Sequence, residues 1–161
     1  MMITLKGIID EDFVNYKVPS MTLMFPYCDF KCDKECGQSV CQNSQLISEP
    51  EIQIDAMTLC QRYMNNPITH AVVIQGLEPF DSLLELHLFI ATLRHMFYCD
   101  DPIVIYTGYN KSEIIFEVSE LQKYKNIIIK YGRYIPKQKP HYDEVLGVKL
   151  ASDNQYAERI S

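Results

Sequence analysis

The sequence has no tryptophan, no long apolar run and no excess of positive charge. No apolar run reaches the roughly 20 residues that a transmembrane helix needs, so we expect no membrane partner. The net charge of -6 excludes a global basic field of the kind that attracts nucleic acid. The first residues also lack the plan of a signal peptide. These absences predict a cytoplasmic protein that binds neither nucleic acid nor membrane.

Repeats, low-complexity tracts and Gly/Ser linkers are missing as well, which predicts a single domain over residues 1–161. Hydrophobic residues make up 47% of the chain and charged residues 22%, the balance of a globular protein. A chain of this length buries roughly 70% of its unfolded surface, which is enough for a core without disulfide staples.

The cysteines are clustered, since four of the six lie between positions 28 and 41. Three residues separate Cys28 from Cys32, three separate Cys32 from Cys36, and four separate Cys36 from Cys41. In a reducing cytoplasm such clusters are more often metal ligands or redox-active thiols than disulfides. Short loops let several thiolates reach one centre, as soft metals and iron–sulfur clusters require. We therefore treat residues 26–44 as a candidate cysteine loop.

The remaining cysteines, Cys60 and Cys99, lie in apolar patterns typical of helices, which predicts that they are buried as small hydrophobic residues. Apolar residues at helical spacing predict helices over 51–63, 82–97 and 110–121. Asn110 and Glu113 have the spacing of a capping box at the start of the last of these. Continuous apolar segments predict buried strands over 21–25, 70–75, 102–107 and 126–130.

The alternation of strands and helices predicts an α/β fold with right-handed crossovers and a parallel sheet. In such sheets the loops that follow the strands gather at one edge, where ligands bind. The cysteine loop follows the first predicted strand, residues 76–79 follow the second and residues 107–110 follow the third. We therefore expect these three loops to form one site.

Four blocks of sequence add a more specific signal, and they follow one another in this order: Asp12-Phe13-Val14-Asn15 with Pro19 and Leu23-Met24-Phe25; the cysteine loop, closing with Cys41-Gln42-Asn43; Gly76-Leu77-Glu78-Pro79-Phe80; and Tyr106-Thr107-Gly108-Tyr109 with the later Ser152-Asp153-Asn154-Gln155. Together these blocks resemble the radical S-adenosylmethionine (SAM) enzymes, specifically the activating proteins of anaerobic ribonucleotide reductase. The third block is similar to the Gly-Gly-Glu-Pro motif of that superfamily.

The resemblance implies a single-domain partial, open βα barrel of parallel strands that carries a [4Fe-4S] cluster. Three cysteines hold the cluster, and SAM chelates the iron that remains open. Reductive cleavage of SAM gives a 5'-deoxyadenosyl radical, which abstracts a hydrogen from a glycine of the partner. The implied partners are the large subunit of an anaerobic ribonucleotide reductase and an electron donor such as flavodoxin or ferredoxin. A partial barrel leaves one side open, which a large protein substrate could close.

The resemblance also implies a set of SAM contacts. In this reading Gly76 permits a close backbone approach beside the amino group of SAM, and Glu78 with Pro79 fixes the path of the loop. The implied SAM-binding residues are Asn43, Gly76, Leu77, Glu78, Pro79, Thr107 and Gly108.

The cysteine spacing departs from the family pattern, in which three and then two residues separate the ligands. Only the first gap is kept here, between Cys28 and Cys32. Cys41 is followed by Gln42-Asn43, which resembles the end of the family motif, whereas Cys36 is followed by glycine. We therefore assign Cys28, Cys32 and Cys41 as cluster ligands, with Cys36 as the alternative third ligand.

Other interpretations remain open. The four clustered cysteines could form a structural metal site, of zinc or a cluster, in a small interaction module. The chain could also be a radical SAM enzyme that acts on another substrate. A run of six basic residues without an acidic one is either a solvated face or a docking patch for an acidic partner: Lys123, Lys125, Lys130, Arg133, Lys137 and Lys139.

Overall fold

The structure is a computed structural model that describes residues 1–29, 31–39 and 43–161. Its strands are β1 (Met2–Leu5), β2 (Gly7–Asp12), β3 (Ser20–Phe25), β4 (Ile52–Asp55), β5 (Ala71–Gly76), β6 (Ile103–Tyr106), β7 (Ile127–Tyr131), β8 (His141–Asp143), β9 (Val148–Leu150) and β10 (Tyr156–Arg159). Its α-helices are α1 (Lys31–Cys36), α2 (Ala56–Met64), α3 (Leu83–Ala91) and α4 (Ile115–Leu121). Short 3-10 helices span Ser44–Ser48, Pro79–Ser82 and Lys111–Glu113, and a π-helical turn spans Thr92–Met96.

A six-stranded sheet organises the fold, with its strands in the order β10-β7-β6-β5-β3-β2. The four central strands β3, β5, β6 and β7 are parallel, as the apolar runs predict. The edge strands β2 and β10 pair antiparallel with β3 and β7. The predicted α/β class is therefore confirmed, with a mixed sheet that is mostly parallel.

Both faces of the sheet are covered, which explains why its central strands are continuously apolar. Val72 and Ile74 of β5 belong to the large core that the helices close. Val73 belongs to a smaller core on the opposite face, with Tyr16 and Leu146. Alternate residues of one strand thus enter two different cores, as the two-residue period of a strand requires.

Two of the local predictions are wrong in part. The helix predicted over 51–63 begins only at Ala56, because residues 52–55 form β4 and pair antiparallel with β1. Asp55 then caps α2 by accepting hydrogen bonds from the N–H groups of Met57 and Thr58 at 3.0 and 3.4 Å. The cysteine loop is not wholly irregular, since it contains the helix α1.

Other local predictions are confirmed. Cys60 is fully buried in α2, and Cys99 is buried too, although it follows the π-helical turn rather than lying in a helix. Asn110 and Glu113 form the predicted capping box, in which the Glu113 carboxylate accepts from the Asn110 N–H at 2.8 Å, but the box caps the 3-10 helix Lys111–Glu113 and α4 begins only at Ile115. In the described ranges, no helix combines the length and the apolar character that crossing a membrane requires.

Candidate functional site

A cavity of about 350 Å³ lies at the carboxyl edge of the parallel strands. The cysteine loop and the loops after β5 and β6 all contribute to its wall, as the parallel topology predicts. The predicted site residues that line it are Cys28, Cys32, Asn43, Gly76, Leu77, Glu78, Thr107 and Gly108. Residues that are far apart in sequence thus meet at one site.

Three predicted residues stand apart from this lining. Pro79 is buried in the 3-10 turn after β5 and is absent from the described wall of the cavity. Cys36, at the end of α1, is half-buried and is also absent from that wall. Cys41 lies outside the described residues, so its assignment as the third ligand stays a prediction.

The first and fourth sequence blocks also reach the cavity, through Val14, Asn15 and Gln155. The Asp12 carboxylate accepts hydrogen bonds from the Val14 N–H at 2.7 Å and from Asn15 Nδ2 at 2.6 Å. The Tyr106 hydroxyl donates to the Asn15 carbonyl oxygen at 2.6 Å and so ties this loop to the end of β6. All four blocks therefore contribute residues to one region.

Gly76 ends β5 with φ +107°, a conformation that side chains rarely adopt. A Cβ at this position would lie 2.8 Å from the backbone of Met24, and closer still to the backbone nitrogen of Phe25. The close approach expected at Gly76 is therefore an approach to strand β3. Its carbonyl oxygen accepts a hydrogen bond from Asn43 Nδ2 at 3.1 Å, which connects it to the end of the cysteine loop.

Glu78 connects the loops after β5 and β6. One carboxylate oxygen accepts from the Thr107 hydroxyl at 2.8 Å and from the Phe80 N–H at 3.1 Å, and the other accepts from the Gly108 N–H at 2.9 Å. The side chain is buried, and this burial raises the pKa of the carboxyl to about 7 despite the three donors. Glu78 thus fixes the path of both loops.

The backbone of the loop after β5 also holds the start of the cysteine loop. The Glu78 N–H donates to the Tyr27 carbonyl at 2.7 Å, and the Leu77 N–H donates to the Phe25 carbonyl at 3.1 Å. Tyr27 directly precedes Cys28, so the first cysteine is positioned by the loop that carries Glu78.

Two carboxylates lie next to the Cys28 thiol. The sulfur and one oxygen each of Asp29 and Asp81 all lie within 4.8 Å of one another, a separation that a single metal ion could bridge. The Tyr109 hydroxyl donates to Asp81 at 2.6 Å. This group forms at the outer rim of the site, since both carboxylates are exposed.

Lys130 is a site residue that the sequence interpretation missed, because it was counted with the basic run. Its side chain is buried against the cavity, where the ammonium donates to the Gly132 carbonyl at 3.1 Å and lies 5.8 Å from the centre of the Tyr106 ring. Burial lowers the pKa of Lys130 to about 8, against the opposing effects of Glu78 and Cys32. The detectable signal was a lysine directly after three buried isoleucines of β7.

The basic run does not form one continuous docking patch. Lys123 pairs with Glu120 at 2.6 Å, and Lys125 pairs with Asp100 at 3.0 Å. Lys130 and Arg133 are buried, which leaves Lys137 and Lys139 as exposed members without a recorded ion pair in the described chain. The docking interpretation therefore loses most of the charge on which it depended.

Comparisons of the chain with models of known protein families, with curated proteins and with solved structures find no match. A functional proposal for this chain consequently depends on its residues and on their geometry. The features with chemical meaning are the two thiols in the cavity wall, the buried carboxyl of Glu78 and the buried ammonium of Lys130.

Proposed function

We propose that this chain is an iron–sulfur radical SAM activase that generates a glycyl radical on an anaerobic ribonucleotide reductase. The observation that supports the proposal is the meeting of Cys28 and Cys32 with the segments Gly76–Glu78 and Thr107–Gly108 around one cavity. These segments belong to three of the sequence blocks that resemble the family. A metal site unrelated to this family would require the cysteines, but it would not require Gly76–Glu78 and Thr107–Gly108 at the same edge of the sheet.

The donor set suits an iron–sulfur cluster. Two thiols of the described chain lie in the wall of the cavity, and thiolates are the usual ligands of such clusters. Cys41 would complete a set of three, with Cys36 as the alternative. A three-cysteine set leaves one iron open for a substrate. When bound, the reduced cluster supplies the electron that cleaves SAM into methionine and a 5'-deoxyadenosyl radical, which takes a hydrogen atom from a glycine of the reductase.

The charges in the cavity suit SAM, which carries an ammonium, a sulfonium and a carboxylate. Glu78 and Lys130 both line the cavity, so an ionised Glu78 carboxylate would attract a cationic group and the Lys130 ammonium would attract a carboxylate. The cavity of about 350 Å³ lies within the usual range for a small-molecule site. The protein's own work is then to orient the bound molecule and to limit its exposure to water.

The proposed architecture is a partial, open βα barrel, supported by the four central parallel strands and by helices α2, α3 and α4 on one face. The proposed protein partner is the large, glycyl-radical subunit of the reductase, and the proposed reductant is a flavodoxin or ferredoxin. A site that lies at the carboxyl edge of the sheet suits a substrate that is itself a large protein.

Single cysteine replacements test the ligand assignment. We expect Cys28→Ala, Cys32→Ala and Cys41→Ala each to lose most of the iron and sulfide bound after anaerobic reconstitution, because a ligand is removed. Cys36→Ala should keep the wild-type iron content, and Cys60→Ala is the control for a buried cysteine outside the loop. If Cys41→Ala keeps a full cluster and Cys36→Ala does not, the alternative trio is correct.

A second candidate is a structural metal-binding module, which the grouping of Cys28, Asp29 and Asp81 favours. In that case the protein should bind one zinc ion through Cys28 and lose it on Asp81→Asn, while Cys32→Ala retains it. Metal analysis of these variants separates the two candidates, because the activase requires Cys32 and iron. A radical SAM enzyme with another substrate would share the cluster but leave the reductase unmodified.

A further inference from the structure

The helix α1 carries Cys32 and Cys36, yet none of its described side chains belongs to either hydrophobic core. Cys32, Asp33 and Cys36 are half-buried, and Lys34 and Glu35 are exposed. A helix of six residues is not stable by itself, since helix formation needs a costly first turn. Polar contacts with the rest of the chain must therefore hold α1 in place.

Arg133 provides such a contact from a buried position after β7. Its Nε lies 3.1 Å from Oε1 of Glu35, an ion pair that does not have the alignment of a hydrogen bond. Its Nη1 and Nη2 donate to the two oxygens of Glu113 at 2.8 and 2.7 Å. Glu113 also accepts from the Asn110 N–H, so one guanidinium joins α1 to the loop after β6.

The side chain of Arg133 also lies near Cys32, one of the assigned cluster ligands. A Cβ placed on Gly108 would be 3.7 Å from the Cys32 sulfur and 3.9 Å from Cγ of Arg133. The stem of Arg133 and the Cys32 thiol therefore flank the same glycine. The carboxylates of Glu113 and Glu35 favour the charged guanidinium and raise the pKa of Arg133, with the Glu113 hydrogen bonds as the main cause.

We propose that Arg133 is a positioning residue, which holds Cys32 at the cavity through its ion pair with Glu35 on α1. This inference rests on the proposed function, because it assigns a purpose to the position of a cluster ligand. Arg133 acts on the ligand helix and on the loop containing Thr107 and Gly108 together, so it keeps the cluster side and the SAM side of the cavity in register. The role needs a planar, multidentate cation, which lysine does not replace.

The test uses the full chain with Glu35→Gln, which removes one ion pair and leaves the pairing of Arg133 with Glu113 intact. Lys34→Gln, on the exposed neighbour, is the matched control, and Glu35→Asp is the conservative variant. Amide hydrogen exchange of residues 31–39 is measured on the metal-free protein, and iron per chain is measured after anaerobic reconstitution. Arg133→Met serves as a second variant if it folds.

For Glu35→Gln we expect about two- to five-fold faster exchange over residues 31–39, the size that a partly exposed ion pair allows. Iron uptake by Glu35→Gln should slow or fall by a similar factor. Its melting temperature should equal that of Lys34→Gln. Glu35→Asp should recover part of both losses. Raising the salt to 1 M should bring the wild-type exchange towards that of Glu35→Gln, because salt screens the pair.

Equal exchange and iron uptake in Glu35→Gln and Lys34→Gln would overturn the proposal. A fall in melting temperature that accounts for both effects would also overturn it, since Glu35 would then act on stability alone. If the wild-type protein takes up no iron at all, the proposed function fails, and the exchange measurement still decides whether Arg133 holds α1.

Discussion

Replacing Gly76 with alanine should destabilise the chain by about 4 kcal/mol or more, the range of severe single substitutions. The new Cβ would lie 2.8 Å from the backbone of Met24 and closer still to that of Phe25, so β3 and β5 could not keep their pairing. The backbone atoms of Met24 and Phe25 cannot rotate away from the new Cβ, as the end of a flexible side chain could. The backbone conformation of Gly76, with φ +107°, adds further strain.

Gly37→Ala is the matched control, because Gly37 also has a positive φ of +67° but, in the described part of the chain, no non-adjacent residue lies within 4 Å of its Cβ position. It should cost only about 1 kcal/mol, from the left-handed conformation alone. Urea unfolding of the two metal-free variants measures the difference. If the two substitutions cost the same, the close approach of β5 to β3 is not the reason for glycine at position 76.

Because of Glu78, the free energy of unfolding should fall as the pH rises from about 4.5 to about 7. The carboxyl has its pKa raised from 4.5 to about 7 in the folded chain, so the native state holds its proton over a range in which the unfolded state has released it. The stability that this proton contributes is complete below the unfolded pKa and is lost as the pH passes the folded pKa. The difference corresponds to about 3 kcal/mol.

Glu78→Gln should remove this dependence, since glutamine does not titrate. Wild type should therefore lose about 3 kcal/mol relative to Glu78→Gln between pH 4.5 and pH 8, as measured by urea unfolding of the metal-free proteins. Glu144→Gln, at an exposed carboxyl, controls for the loss of a charge and should follow the wild-type profile. If the free energies of unfolding of wild type and Glu78→Gln change with pH in the same way, the buried carboxyl keeps an ordinary pKa.

The centre of the fold could be predicted from the sequence because β3, β5, β6 and β7 are buried on both faces. Continuous apolar runs therefore mark them, and Gly76 and Gly108 mark where two of the loops begin. The edge strands β2 and β10 escaped prediction because they contain charged residues and are partly exposed, so no continuous apolar run marks them. β4 was mistaken for helix because Ile52 lies at helical spacing from Ala56, Leu59 and Tyr63 of α2.

The site could be predicted only where its residues form local motifs. Gly76–Glu78 and Thr107–Gly108 each follow a strand, so strand order alone brings them together. Lys130 and Arg133 instead take their roles from distant partners, such as Glu35 on α1, and a sequence pattern records no such contact. Their positive charge predicted that both residues are exposed, whereas both are buried in the structure.

The central claim is that the cysteine loop and the cavity support radical chemistry on SAM. The most direct test is to reconstitute the protein with iron and sulfide under anaerobic conditions, reduce it, add SAM and measure 5'-deoxyadenosine and methionine. We expect both products from the wild-type protein and neither from Cys28→Ala. A fully loaded, reduced wild-type cluster that yields no 5'-deoxyadenosine would contradict it.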